Sequence, residues 1–131
     1  MHVMKNEILK QLRFWFFSDL ELEEIGRILL QKNIITDFRY DYENVYEWIE
    51  AQTDNANIDF NIARKHNDWE NFSAEPITVL IMYSGLEPSN NIVEKKAKLF
   101  AEKLQLPISL GTVDYLGDDN FEYNEQKRIN A

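Results

Sequence analysis

The sequence predicts an α+β fold in which two helices cover one face of a mainly antiparallel sheet. The prediction depends on alternating apolar and polar residues in several short segments, on two amphipathic helical segments, and on their order along the chain. The predicted order is β-α-β-β-β-β-α-β, a two-layer sandwich that is a ferredoxin-like variant with extra strands. A chain of 131 residues fits one domain, so residues 1–131 are expected to form a single unit.

The N-terminal part predicts a strand followed by a helix. The segment from Ile8 to Phe17 is apolar on both faces at its end, as in an interior strand. Ser18-Asp19-Leu20-Glu21 matches a capping box with Ser18 as the N-cap, and apolar residues at helical spacing follow. The helix is expected to stop near Lys32-Asn33. Gly26 costs helix stability, and a close approach to the sheet would explain it.

The middle of the chain predicts an antiparallel meander. Rings alternate with charged residues from Asp37 to Tyr42, which is typical of a half-buried strand. Residues 35–51 fit either one bent strand or two strands joined at Glu43-Asn44. A turn over 53–57 and an alternating strand from Ile58 follow.

The C-terminal half predicts a central strand, a helix and a last strand. Residues 66–76 are polar and read as a loop, whereas Ile77 to Tyr83 is apolar on both faces, as expected of a central strand. Ser89 is predicted to cap a helix whose apolar face includes Val93, Ala97, Phe100 and Leu104. A strand from Ile108 to Tyr115 is predicted to be the last, with a polar tail from Asp118.

Composition excludes several classes of function. The chain has no Cys, which excludes disulfides, thiolate catalysis and Cys-based zinc sites. No apolar run approaches the roughly 20 residues that cross a bilayer, and no signal peptide is evident, so we expect a cytoplasmic protein. The net charge of −9 argues against nucleic acid or an anionic membrane as the partner, because both require a positive footprint.

Catalytic and metal-binding motifs are weak in this sequence. Arg64, His66 and Asp68, with Trp69 beside them, form the most enzyme-like cluster, but a solvated strand end explains them more simply. Oxygen ligands for a hard cation are available in a C-terminal acidic segment, although an EF-hand order is absent and a hydrated turn is the simpler interpretation: Asp114, Asp118, Asp119 and Glu122. No phosphate-binding glycine loop is present, and no cofactor is predicted.

Acidic residues are concentrated in two segments. Between Asp37 and Asp59 there is one basic residue, Arg39, among eight charges, and the segment from Asp114 to Glu125 contains no basic residue. Four lysines gather instead on the second predicted helix, at positions 95, 96, 98 and 103. This asymmetry favours a negative face, and the interleaved Tyr and Trp residues are types enriched at interface hot spots. Strict alternation would instead place Tyr40 and Tyr42 in the core, opposite Asp41 and Glu43.

Several stretches resemble small bacterial immunity proteins that are paired with toxins of contact-dependent inhibition and other polymorphic toxin systems. The stretches are "FWFFSDLELEEIGRIL", "DYENVYEW", "FNIARKHNDWE" and "VDYLGDDNFEY". The resemblance is one of style over most of the chain, namely a small, acidic, Cys-free, aromatic-rich α+β protein. It carries no shared catalytic motif. It implies a protein without catalysis that binds a cognate basic toxin, often a nuclease, and blocks its active site or substrate path.

The resemblance and the charge pattern together give a set of expected partner-binding residues. Asp41, Glu43 and Glu47 are expected to steer and pair, and exposed rings are expected to anchor. The full set is Asp37, Asp41, Tyr42, Glu43, Tyr46, Glu47, Trp48, Asp114, Tyr115, Asp118, Asp119 and Glu122. The free protein is expected to be a monomer or a weak homodimer. The rival hypothesis is a small ferredoxin-like enzyme or ligand-binding domain with a pocket near His66.

Overall fold

The computed structural model describes residues 11–65, 75–84 and 88–131, and the predicted α+β sandwich is confirmed. Within these residues, seven strands form one sheet and two helices pack on one of its faces. The helices are α1 (Leu22–Gln31) and α2 (Asn90–Leu104). The strands are β1 (Arg13–Phe16), β2 (Asp37–Glu43), β3 (Tyr46–Gln52), β4 (Ile58–Lys65), β5 (Ile77–Tyr83), β6 (Ile108–Gly117) and β7 (Asn120–Ile129).

The sheet has the order β2-β3-β4-β5-β1-β6-β7, and every neighbouring pair is antiparallel. The four inner strands β6-β1-β5-β4 have the ferredoxin-like arrangement, because β5 lies between β1 and the parallel strand β4. The hairpin β2–β3 extends this sheet on one side and β7 extends it on the other. The extra strands therefore form both edges of the sheet.

The hydrophobic core lies between the helices and one face of the sheet. Phe100 of α2 packs edge-on against Phe14 and Phe60, with ring centroids 5.0 and 5.3 Å apart. Helix α1 lies over β2 and β3, and Gly26 is where it comes closest. A Cβ atom at this position would lie 2.7 Å from Cε2 of Phe38, so the predicted close approach to the sheet is confirmed.

The predicted capping box at the start of α1 is wrong. The helix begins at Leu22 with Glu21 as its N-cap, and no side chain caps it. The carbonyl groups of Ser18 and Leu20 instead accept hydrogen bonds from the Arg64 guanidinium, at 3.1 and 3.0 Å. These contacts hold residues 18–20 in a non-helical turn, so the first helical turn starts later than the local sequence indicates.

The other predicted helix ends are confirmed. Helix α1 stops at Gln31, with Lys32 as the C-cap and Asn33 at a positive φ of 61°. Such a left-handed residue is a common way to end a helix. Ser89 caps α2, since its side chain accepts a hydrogen bond from the Ile92 N–H at 3.3 Å.

Residues 35–51 resolve into two strands rather than one bent strand. Strands β2 and β3 pair in an unbroken register from Asp37↔Gln52 to Glu43↔Tyr46. The two residues between them form the turn, in which Asn44 takes a φ of 55°. Asn is one of the residue types that adopt this conformation at low cost.

The prediction of a polar tail from Asp118 is wrong, because β7 follows β6 through a tight turn. Gly117, Asp118 and Asp119 all have positive φ, as a tight hairpin turn requires. The predicted strand from Ile108 accordingly extends to Gly117. Phe121 and Tyr123 face inward, while most of the remaining β7 side chains are exposed, as expected for an edge strand. This polar composition hid the strand in the sequence.

The far end of the β6–β7 hairpin turns over the face of the sheet that the helices leave uncovered. Tyr123 packs on Trp15 of β1, with ring centroids 5.2 Å apart, and Phe121 reaches Tyr46 of β3. The register shifts between Leu110 and Gly111, where a Cβ atom would lie 2.0 Å from the Asn124 carbonyl oxygen. Glycine at this bulge allows the close approach of the two strands.

The start of the first predicted strand at Ile8 and most of the predicted loop 66–76 lie outside the described residues. Among the residues that are described, neither helix has the length and apolar character needed to cross a membrane.

Candidate protein-docking surface

The side of the sheet facing away from the helices is called the open side, and alternation decides which residues it carries. Phe38, Ile49, Ile62 and Val79 contribute to the core under the helices, so their strand neighbours point to the open side. The β6–β7 hairpin covers part of this side. The part that the described residues leave uncovered lies over β2 to β5.

The uncovered part of the open side carries most of the carboxylates of the sheet. We call it the acidic face and define it by Asp37, Arg39, Asp41, Glu43, Trp48, Glu50, Asp59, Asn61 and Met82. Arg39 is bound to Glu50, with 2.8 Å between Nη2 and the carboxylate. Its positive charge is thereby offset within the face. Lys65 lies on the same side at the end of β4, and the other four carboxylates outnumber it.

Two shallow hollows indent the acidic face. The first, about 310 Å³, is bounded by Trp48, Glu43 and Asn61, with Ala63 as a small residue at its base. The second, about 490 Å³, lies further from the β2–β3 turn and is bounded by Asp37, Glu50, Asp59 and Met82. The half-buried Trp48 and the half-exposed Met82 supply apolar contact area beside the carboxylates.

The second acidic segment joins this face through the end of the β6–β7 hairpin. We call residues 115–121 the hairpin tip. Tyr46 Oη donates a 2.7 Å hydrogen bond to Asp119 Oδ1, and the Asp119 N–H donates to Tyr115 Oη at 3.2 Å. Asp118 and Tyr115 are exposed on the tip, and 61% of Tyr115 is accessible. Two acidic segments separated by about seventy residues thus meet.

Burial and hydrogen bonding change the titration of two tyrosines around this region. Burial, together with the hydrogen bond to Asp119, raises the pKa of Tyr46 well above its ordinary value. Burial and the hydrogen bond to Glu47 raise the pKa of Tyr40 in the same direction. Both phenols therefore stay protonated and act as donors at neutral pH.

Glu47 is not available for docking, which corrects the sequence-based expectation. It is 3% exposed and points to the helix side, where it accepts a 3.0 Å hydrogen bond from Arg64 Nε and a 2.8 Å hydrogen bond from Tyr40 Oη. A buried carboxylate needs such partners, because an unpaired charge in the interior is strongly unfavourable. Its role is internal, and it is removed from the docking set.

Three other predicted residues lie away from the acidic face, of which Tyr42 and Glu122 are exposed and Asp114 is half-buried. Tyr42 is 62% exposed on the helix side of β2, with its ring 6.3 Å from that of Tyr40. Asp114 and Glu122 face each other across β6 and β7, on the side of the hairpin opposite to the rings that contact the sheet. Alternation explains the side on which all three lie. The core position that strict alternation gives Tyr42 is wrong, because the ring lies on the helix side but is exposed at the sheet edge.

The structure adds Glu50, Asp59 and Met82 to the candidate surface. Glu50 and Asp59 belong to the acidic segment that the sequence singled out, and their strand pairing places them on the same side as Trp48. Met82 was assigned to an apolar central strand. All three are identified by strand alternation, which places them on the same side of the sheet as Trp48. This rule can be applied across strands only when the register of the strands is known.

The rival pocket near His66 loses one of its proposed residues. Arg64 is 1% exposed and all three of its guanidinium nitrogens donate to Glu47, Ser18 or Leu20, so it is a structural group. His66, Asp68 and Trp69 lie outside the described residues. Across the part of the chain that is described, no three potential ligand residues of the His, Cys, Asp or Glu type come together as a metal site would require.

The four lysines of the second predicted helix lie on α2, which packs on the helix side of the sheet mainly over β6, β1 and β7. Lys98 is bound to Glu94 at 3.2 Å within the helix. The helices carry charges of both signs, with Glu23 and Glu24 on α1 and Glu94 and Glu102 on α2, so the excess of carboxylates is greatest on the acidic face.

No protein-family model matches this chain, and no curated protein is similar to it at a significant level.

Proposed function

We propose that this protein is an immunity protein without catalysis. It binds a cognate basic toxin, of the nuclease type, in the cytoplasm and blocks the toxin's active site or substrate path. The proposal is supported by the resemblance of the sequence to such proteins in size, charge and aromatic content. It assigns the docking role to the acidic face and the hairpin tip.

The observation that carries this proposal is the grouping of carboxylates and accessible aromatic surface on one side of the sheet. Asp41 pairs with Trp48 across β2 and β3, and Glu43 lines the same hollow as Trp48. Asp37 and Asp59 line the second hollow further along these strands, and Asp118 and Tyr115 are exposed on the tip. A nuclease binds phosphates with a positively charged groove. An acidic, partly aromatic surface is complementary in charge to such a groove.

The two kinds of side chain have different parts in binding. Exposed carboxylates act at a distance, and complementary charge raises association rates towards roughly 10⁸ M⁻¹s⁻¹ at low salt. Trp48 acts at contact, because a Lys or Arg side chain that enters the hollow beside Glu43 and Asn61 stacks on the indole while its charge faces the carboxylate. Fast encounter and slow release together suit a protein that must bind its toxin before damage occurs.

The test begins with the protein encoded by the gene next to this one. The purified pair should form a stoichiometric complex, and adding this chain should abolish the nuclease activity of the toxin. Association should slow strongly between ionic strengths of about 0.01 M and 1 M, since the Debye length falls from about 30 to 3 Å. A complex that forms at the same rate at both ionic strengths, or no inhibition of the bound toxin, would contradict the proposal.

A further inference from the structure

Strand β2 is the edge of the sheet that is most open to pairing with another chain. The opposite edge strand is β7. Its pairing with β6 is interrupted by two register shifts, and its C-terminal half carries the charged residues Glu125, Lys127 and Arg128. Both features are known to discourage edge-to-edge pairing. By contrast, β2 pairs with β3 without interruption over seven residues. It needs a different form of protection.

The register shows which backbone groups of β2 point outward. A two-residue turn makes Glu43 and Tyr46 a hydrogen-bonded pair, so the odd-numbered residues of β2 bond to β3. The N–H groups of Phe38, Tyr40 and Tyr42 therefore face away from the sheet. These are the donors that an added strand would use.

Two of these three donors are already occupied by neighbouring side chains. Asp37 Oδ1 accepts from the Phe38 N–H at 2.8 Å, and Asp41 Oδ1 accepts from the Tyr42 N–H, also at 2.8 Å. Between them, Tyr40 follows Arg39, whose guanidinium has no acceptor to offer. The same contact, from an Asp carboxylate to the N–H of the next residue, thus occurs twice at a spacing of four residues. It follows from the two Asp residues in the sequence Asp-Phe-Arg-Tyr-Asp-Tyr.

We propose that Asp37 and Asp41 guard the β2 edge by capping its outward N–H groups, and that the occupant they exclude is the β2 strand of a second copy of this chain. A second copy is singled out because two β2 strands paired antiparallel about Tyr40 would place Phe38 of one copy opposite Tyr42 of the other, on the same side of the joined sheet. Uncapped, this edge presents a flat ladder of backbone groups beside Phe38, Tyr40 and Tyr42. The proposal does not depend on the function proposed above.

The test compares two double variants that remove the same charge. Asp37→Ala/Asp41→Ala removes both acceptors, whereas Asp37→Asn/Asp41→Asn removes the charge and keeps an acceptor oxygen at each position. Sedimentation over a wide concentration range should show the parent and the Asn variant near 15.6 kDa and the Ala variant rising towards twice that mass. Adding Tyr42→Pro to the Ala variant should restore the monomer, because it deletes an outward N–H that β3 does not use.

Two results would overturn the proposal. One is a folded Ala variant that stays monomeric, and the other is an Asn variant that associates as strongly as the Ala variant. If the Ala variant does not fold, hydrogen exchange in the parent protein decides. After correction for neighbouring residues, the Phe38 and Tyr42 amides should exchange at least about fivefold more slowly than the Tyr40 amide. Equal rates at the three positions would mean that the aspartates do not cap them.

Discussion

At the scale of single residues, the contact between Arg64 and Glu47 organises three parts of the fold. It links β4 to β3, and the remaining guanidinium nitrogens hold the backbone just before α1. Both side chains are almost fully buried. If one of them is removed, water cannot readily take its place as the partner of the other. This contact explains why Glu47 is buried although Trp48, the next residue of β3, lies on the acidic face.

Replacing Glu47 by Gln should destabilise the protein by about 3–5 kcal/mol, because it removes the carboxylate charge that pairs with the buried Arg64 guanidinium. The matched control is Glu50→Gln on the same strand, where the arginine partner is 78% exposed and a loss of at most about 1 kcal/mol is expected. Urea unfolding of both variants measures the difference. Equal decreases in the free energy of unfolding would show that the buried ion pair stabilises the protein no more than the exposed one.

The residue scale also shows where sequence reasoning reaches its limit. Alternation along β2 correctly separates Tyr42 from Asp41, since that rule involves only neighbouring positions. The burial of Glu47 depends on Arg64, 17 residues away, and the lost cap at Ser18 depends on the same arginine, 46 residues away. Local patterns contain no information about such partners.

At the scale of elements, the hairpin tip is the part of the structure that joins the two acidic segments. Its attachment to β3 consists of the Tyr46–Asp119 hydrogen bond and the edge-on contact of Tyr46 with Phe121. The position of the tip therefore depends on a phenol whose pKa is raised above the ordinary value of 10.0. The stabilisation is fully present below pH 10 and is lost as the pH rises through the pKa of the folded state.

Tyr46→Phe should lower stability at neutral pH by about 1 kcal/mol or less, and the difference from the parent should shrink above pH 10. Denaturant unfolding measured between pH 7 and 11 tests this. The control is Tyr83→Phe, which makes the same chemical change in β5, away from the tip. A Tyr46→Phe difference that stays constant over this range would show that the phenol does not tie down the tip.

A helix or strand is predictable from the sequence where its own residues show a clear apolar pattern or a capping residue. β5 is apolar on both faces and α2 has a Ser cap and a clear apolar stripe, so both were found with nearly correct ends. β7 was missed because an edge strand exposes most of its side chains and shows only Phe121 and Tyr123 as an apolar pattern. The signal lay in Gly117-Asp118-Asp119, residue types that favour a tight turn.

At the scale of the whole molecule, the acidic face groups carboxylates on one side of the sheet, whereas the helices on the other side carry charges of both signs. The acidic face and the hairpin tip point one way, and the lysines of α2 point the other way. Such an arrangement orients the molecule in the field of a basic partner as well as attracting it. The sequence predicted the asymmetry from composition, but the choice of side required the strand register, which joins Glu50 and Asp59 to Asp41.

The most direct measurement is the rate at which the neighbouring gene product associates with two variants of equal charge. Asp41→Asn/Glu43→Gln changes the acidic face, and Glu23→Gln/Glu102→Gln changes two exposed carboxylates on the helices. At low ionic strength, the first variant should associate about three- to tenfold more slowly than the parent, and the second should remain close to it. If both variants slow association equally, or if only the helix variant does, the partner does not dock on the acidic face.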